Sequence, residues 1–146
     1  NSKILDVGCG KGFLLYEIKK LLPSIEVKGF DISKYAISKS KNEIKKYLFV
    51  HKAQDRYLFK KSQFDLAISI GCLHNLKIND LRKALEQINR VAKKKYILVE
   101  SYRNEKELFN LQCWALTCNS FFSKKEWIWI FKKFNYNGDY EFIYFE

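Results

Sequence analysis

The chain has no methionine among its 146 residues, a single proline and only four cysteines. It has no apolar run near the ~20 residues that a membrane-spanning helix needs, and no secretory signal is read at its start. Four cysteines in a chain of this size do not make a disulfide framework. Cys113 and Cys118 lack the two-residue separation of a zinc knuckle, so no metal site is expected. Free thiols in a reducing cytoplasm are the expectation. Without methionine, and opening directly on an apolar stretch, the chain reads as a fragment without its N-terminal segment. An apolar fraction of 47% and an aromatic fraction of 16% exclude disorder as the default. The length suits one domain over residues 1–146, burying roughly two thirds of the surface of its unfolded chain. The abundant residue is lysine, and the net charge is +11. Such a charge invites a nucleic-acid partner, but lysines scattered in pairs (Lys19-Lys20, Lys45-Lys46, Lys124-Lys125, Lys132-Lys133) also suit solvated helix faces, the preferred reading.

The most informative stretch is Ile4-Leu5-Asp6-Val7-Gly8-Cys9-Gly10-Lys11-Gly12. Ile4, Leu5 and Val7 suit a buried parallel strand. The alternating glycines let the backbone turn sharply and approach a ligand closely. An amphipathic helix follows, its N–H groups and positive dipole end facing the same point. Strand, glycine loop and helix together form a nucleotide-cofactor platform. The dinucleotide fingerprint G-x-G-x-x-G needs a glycine where Phe13 stands, which disfavours a nicotinamide cofactor. The pattern Asp6-x-Gly8-x-Gly10-x-Gly12 instead resembles motif I of the class I S-adenosylmethionine (SAM) dependent methyltransferases. This resemblance implies a three-layer, Rossmann-like α/β fold with a mostly parallel sheet and SAM as cofactor. It also implies contacts to that cofactor from Asp6, Gly8, Cys9, Gly10 and Gly12.

The rest of the chain alternates strand and helix. A helix is expected over 13–22 and ends at Pro23; a second strand over 25–30 ends at Asp31. Asp31 lies 19 residues past Gly12. An acid there can accept hydrogen bonds from both ribose hydroxyls of an adenosyl cofactor, as in the family; alternatively it complements the dipole of the next helix. The resemblance places Ile32 on the adenine face. Ser33 caps a helix over 34–46, and a third strand covers 47–51. The family commonly has a carboxylate after this strand that contacts the adenine amino group. Asp55 fits by position, with Gln54 beside it; a plain turn acid is the other reading. His51 has no evident partner.

A fourth strand covers 63–71. Ligands of open α/β sheets bind outside the carboxyl ends of the strands, so Ile70, Gly71 and Cys72 are expected along the methionine part of SAM. His74 follows in Leu73-His74-Asn75-Leu76, a segment resembling one found in small-molecule methyltransferases. It is the one imidazole near the predicted methyl group, read as a general base or as a residue that holds its loop. A helix from Asn79 or Asp80 to about 94 and a strand over 96–101 come next. Tyr102, Arg103 and Trp114 are expected near the substrate. Asn104–Glu107 and Ser123–Glu126 read as capping boxes that open two helices. Asn137-Gly138 is a turn, and a final strand covers 141–146. The family adds a seventh strand, so an antiparallel sheet edge, truncated here, is expected.

The implied chemistry is methyl transfer from SAM. No Asn-Pro-Pro-Tyr-like tetrad, the pattern of amino-methylating nucleic-acid enzymes, follows strand four; Ile70-Gly71-Cys72-Leu73 stands there. A small-molecule acceptor is therefore the first choice. An RNA or protein acceptor using the basic surface, or a non-catalytic SAM-binding module, are the alternatives.

Overall fold

The computed structural model describes residues 1–146. Six strands form one sheet: β1 (Lys3–Val7), β2 (Glu26–Asp31), β3 (Leu48–Val50), β4 (Phe64–Ile70), β5 (Ala92–Glu100) and β6 (Asp139–Ile143). Their order is β3-β2-β1-β4-β5-β6, and every neighbouring pair is parallel. The expected antiparallel edge is thus corrected. Helix α6 (Lys124–Lys133) lies between β5 and β6 in the chain. Such a crossover carries the chain back to the starting end of the sheet, so β6 runs with its neighbour. All six carboxyl ends consequently share one edge.

Two helical layers cover the faces. On one, Leu81, Leu85 and Ile88 of α4 (Ile78–Val91) and Trp127, Ile130 and Phe131 of α6 join Leu5, Val7, Ile97 and Val99 of the sheet. On the other, Leu15 of α1 (Phe13–Leu21), Ile37 of α2 (Lys34–Ser38) and Ile44 of α3 (Asn42–Lys45) join Ile4, Val27 and Ile68. Each large apolar side chain so enclosed stabilises the fold by about 1.5–3 kcal/mol. The remaining helix, α5 (Glu105–Trp114), follows β5.

Two helices differ from expectation. The helix over 34–46 is broken in two. Ser38 Oγ donates to the Tyr35 carbonyl at 2.8 Å and Ser40 Oγ to that of Ile37, so side chains compete for the carbonyls that would continue the ladder. The helix expected to run to about 94 ends at Val91, and Lys93, Lys94 and Lys95 lie in β5. Lys93 pairs with Asp65 at 2.8 Å, and the buried Lys95 donates to Asn137 Oδ1 at 2.6 Å. Strand pairing to β4 outweighs the local helical pattern there.

At the start of α6 the capping box is reciprocal: Glu126 N–H donates to Ser123 Oγ, and Ser123 N–H to Glu126 Oε2 at 2.7 Å. Ser123→Ala is expected to lower stability by about 1 kcal/mol, read as a fall in the urea midpoint at constant slope. Asn104 caps α5 by accepting from Glu107 N–H at 3.0 Å, but Glu107 reaches back to Arg103 N–H rather than to its cap residue. That box is half formed.

Candidate functional site

Glycines follow β1 because the backbone leaves the sheet there and turns against the end of β2. The Gly8 and Cys9 N–H groups both donate to the Phe30 carbonyl at 2.9 Å. Gly8 has φ +81°, and a Cβ there would collide with Cys72 at the end of β4. Gly10, at φ +55°, would point its Cβ into open space. Gly8 is therefore demanded by the protein, whereas the room beside Gly10 is left for something else. Gly8→Ala should cost about 2–3 kcal/mol of stability through strain and overpacking. Gly10→Ala should cost about 1 kcal/mol. Chemical denaturation of the two variants measures the difference.

Beside this loop, a cleft of about 230 Å³ opens at the carboxyl edge of the sheet. Gly8, Phe30, Asp31, Ile32, His51, Ala53, Gln54, Gly71, Cys72, Asn75 and Leu76 line it. Asp31 ties its two halves together. Its Oδ2 accepts the Gly10 N–H at 2.9 Å and its Oδ1 the Ser33 N–H at 2.8 Å. A carboxylate oxygen accepts more than one hydrogen bond, so both oxygens keep capacity for a pair of hydroxyl donors. Asp6 lies under the loop, only 4% exposed. Burial first, and the charge of Asp31 second, push its carboxyl up to about 7. Burial likewise pushes the Cys72 thiol up to about 12, and the Cys9 thiol is also raised. Both are poor nucleophiles, since the thiolate is the reactive form.

Of the residues expected along a cofactor, Gly8, Asp31, Ile32, Gln54, Gly71 and Cys72 line the cleft. Cys9, Gly10 and Gly12 form the loop behind it, with Gly12 preceding α1. Ile70 is exposed at the end of β4 but does not line the cleft. Asp55 does not line it either: it is exposed, one residue past Gln54, in a turn closed by its own N–H to the Lys52 carbonyl.

His74 is placed away from the cleft. It is 4% exposed in a short 3-10 turn over Leu73–Asn75. Its Nε2 lies 3.2 Å from Glu100 Oε2, and its Nδ1 faces the Glu100 N–H at 3.5 Å. Burial holds its basicity down to about 4. The His74 carbonyl accepts the N–H groups of Asn119 and Ser120, both at 3.0 Å. Ser120 Oγ donates to the Leu76 carbonyl, and Asn119 Nδ2 donates to that of Asn75 at 2.7 Å. The 115–120 loop therefore clamps the turn that carries Asn75 and Leu76 into the cleft wall. The imidazole braces that wall from behind and does not line the cleft.

The three residues expected near a substrate do not line the cleft. Arg103 is held by Glu107 and by Glu146, and its guanidinium lies 4.2 Å from the Tyr144 ring. Trp114, 68% exposed, lies beside Phe145 with ring centroids 5.8 Å apart. Arg103 and Trp114 thus fasten the C-terminal residues to α5. The Tyr102 carbonyl accepts the Lys124 N–H at 3.3 Å.

Sequence reasoning missed His51. It lines the cleft at the end of β3, packed edge-on against Phe30 at 5.2 Å, and its buried Nε2 has no partner within the protein. Its place directly after a strand, at the carboxyl edge, was the signal available. No group of histidine, cysteine, aspartate or glutamate side chains is arranged to hold a metal ion.

A parallel sheet with a glycine loop after β1, an acid closing β2 and a cleft over both defines a nucleotide-cofactor domain of the methyltransferase kind. The chain belongs to the methyltransferase domain family, whose model matches residues 1–136; SAM is the cofactor of this class. It is 29% identical over 109 residues to the mitochondrial arginine-hydroxylase NDUFAF5 of Mus musculus, covering 75% of this chain and 31% of that protein. It is 41% identical over 81 residues to ribosomal RNA small subunit methyltransferase C of Buchnera aphidicola, covering 53% of this chain and 24% of that one. The chain spans less than a third of the length of these curated relatives. In fold it matches the methyltransferase complexed with the Trm112 activator of Haloferax volcanii. The TM-score is 0.74 at 19% identity, over 91% of this chain and 60% of that one. No helix is long and apolar enough to cross a membrane.

Proposed function

We propose that this chain binds SAM in the cleft between Gly8, Asp31 and Gly71 and directs its methyl group onto an acceptor at the cleft mouth. The observation that carries this reading is the Asp31 carboxylate, fixed by the Gly10 and Ser33 N–H groups with acceptor capacity to spare. It is the ribose clamp. Ile32, 63% exposed at the cleft, covers one face of the adenine. His51 and Gln54 border the adenine edge, and the open side of Gly10 and Gly71 receives the methionine portion. The sulfonium supplies an electrophilic methyl carbon, whose bond to sulfur breaks as the acceptor atom bonds to it. The protein's own work is then to hold the two reactants in line and keep water out. A general base is needed only by an acceptor that loses a proton. With His74 behind the wall, this reading assigns none. Four free cysteines suit a reducing compartment such as the cytoplasm.

A small-molecule acceptor fits the absence of the nucleic-acid tetrad after β4. The 41% identity to a ribosomal RNA methyltransferase favours a second reading, an RNA acceptor. The test is calorimetric titration with SAM, S-adenosylhomocysteine and NAD. Binding of both adenosyl ligands and not of NAD is expected. NAD binding, or no binding of either adenosyl ligand by the folded chain, would overturn the reading.

A further inference from the structure

The face formed by α1, α2 and α3 departs from the rest of the surface in its charge and its aromatic content. Between Lys34 and Tyr47 stand five lysines (34, 39, 41, 45 and 46) against one acid, Glu43. None of these five is in an ion pair. On α4, by contrast, Arg82 is paired with Glu86 and Lys83 with Asp80. Tyrosines are interleaved with the lysines. Lys41 Nζ lies 3.7 Å from the Tyr16 ring centre, Lys46 Nζ 5.0 Å and Lys19 Nζ 5.7 Å from that of Tyr47, and Lys39 Nζ 5.9 Å from that of Tyr35. These contacts join α1 to the α2–α3 segment in one continuous strip. Between the elements runs a groove of about 250 Å³ lined by Tyr16, Lys19, Lys20, Glu43, Ile44 and Tyr47. The strip starts beside the cofactor cleft: Ile32 lines the cleft, Ser33 caps α2, and Lys34 and Tyr35 form its first turn.

We propose that this lysine–tyrosine face is a docking surface for single-stranded RNA, which it guides toward the cleft mouth. Ammonium groups without acidic partners match a phosphate backbone; of the five, Lys45 Nζ also donates to the Ser38 carbonyl at 2.9 Å. The exposed Tyr35 ring, and the half-buried Tyr16 and Tyr47 rings behind it, match unpaired bases, which stack on aromatic planes whatever their identity. Tyr35, 66% exposed, is the foremost of these rings. Unpaired bases are the ordinary state of RNA loops and ends, whereas DNA offers them only when its duplex is opened. An anionic lipid surface fits less well. Helices that lie on bilayers present an exposed apolar face, whereas in the lysine-rich α2–α3 part Ile37 and Ile44 are turned into the core; α1 does expose Phe13 and Leu21, at its two ends, and the vesicle comparison below tests them. As an acceptor-delivery surface the face rests on the second reading above, with RNA as the methyl acceptor; as a binding surface it is measured separately.

The test is fluorescence anisotropy with a labelled, mixed-sequence single-stranded RNA of about 12 nucleotides, on the whole chain. Neutralising about four phosphates on a single strand predicts a loss of roughly 50-fold in affinity between 50 and 200 mM salt. The combined variant Lys39→Gln, Lys41→Gln and Lys45→Gln should weaken binding at least tenfold. Tyr35→Ala should weaken it about five- to hundredfold by loss of stacking. A control with Lys124→Gln, Lys125→Gln and Lys132→Gln on α6 should stay within threefold of wild type. Equal weakening by the two triple variants, or a preference for duplex DNA or phosphatidylserine vesicles over the RNA, would overturn the proposal. S-adenosylhomocysteine titration of the same proteins separates the two readings. A wild type that binds S-adenosylhomocysteine but not RNA defeats only this face, and the reverse result defeats only the cofactor site.

Discussion

Replacing Asp31 with alanine is expected to weaken SAM and S-adenosylhomocysteine binding by at least 100-fold while leaving a folded domain. The carboxylate has two duties in the structure. It closes the glycine loop onto β2 through the Gly10 N–H at 2.9 Å, and it starts the segment toward α2 through the Ser33 N–H at 2.8 Å. In the proposed complex it also accepts the two ribose hydroxyls. Hydrogen bonds to a charged acceptor contribute about 1.5–3 kcal/mol each, so losing two amounts to about 3–6 kcal/mol. That corresponds to roughly 10²- to 10⁴-fold in the dissociation constant. Asp31→Asn should fall between wild type and alanine, because the amide keeps one acceptor but presents donors where the second hydroxyl or an N–H would sit. Calorimetry gives the affinities, and a thermal melt verifies the fold. An unchanged dissociation constant in a folded Asp31→Ala protein would remove Asp31 from the site, and the ribose assignment with it.

The parts of this site that could be read in advance are those written locally. The glycine loop and the acid closing β2 belong to one strand–loop–helix–strand unit, and their geometry follows from short-range sterics and the parallel pairing of β1 with β2. What stayed hidden depends on partners far along the chain. His74 looked like a free imidazole; its fate is set by Glu100, 26 residues later, and by the 115–120 loop that fastens its carbonyl. Arg103 looked available for a substrate, and Glu107 together with Glu146 occupies it. Lysines 93–95 looked like a helix terminus because local charge favours one, yet β4 offered an unpaired edge. The serines that split the 34–46 helix act through hydroxyl geometry that a hydrophobic pattern does not encode. His51 was visible by position but carried no motif to mark it.

The largest expected effect on the fold itself comes from Asp6. Its carboxyl, 4% exposed, is raised from the ordinary 3.8 to about 7 by burial and by Asp31. The native state therefore holds this proton over a range in which the unfolded chain has released it. Stability should fall as pH rises from about 4 to about 7, then level off as far as this group is concerned. Each tenfold gain in proton affinity on folding corresponds to about 1.4 kcal/mol, so the penalty above pH 7 reaches about 2–4 kcal/mol. Asp6→Asn keeps the shape and removes the charge. It should match wild type near pH 4 and exceed it by about 2–4 kcal/mol at pH 8, in urea unfolding at a series of pH values. A gap that stays constant with pH would exclude Asp6 as its source. The penalty has a use in the proposed reaction. A buried carboxylate under the glycine loop, coupled to Asp31, adds negative potential for the cationic centres of SAM in the proposed complex, and a cation nearby favours its ionised form. SAM binding near pH 6.5 should thus release a fraction of a proton in wild type, seen as a heat that varies with buffer ionisation enthalpy. In Asp6→Asn that dependence should vanish and the affinity should drop, so the more stable protein would be the weaker binder.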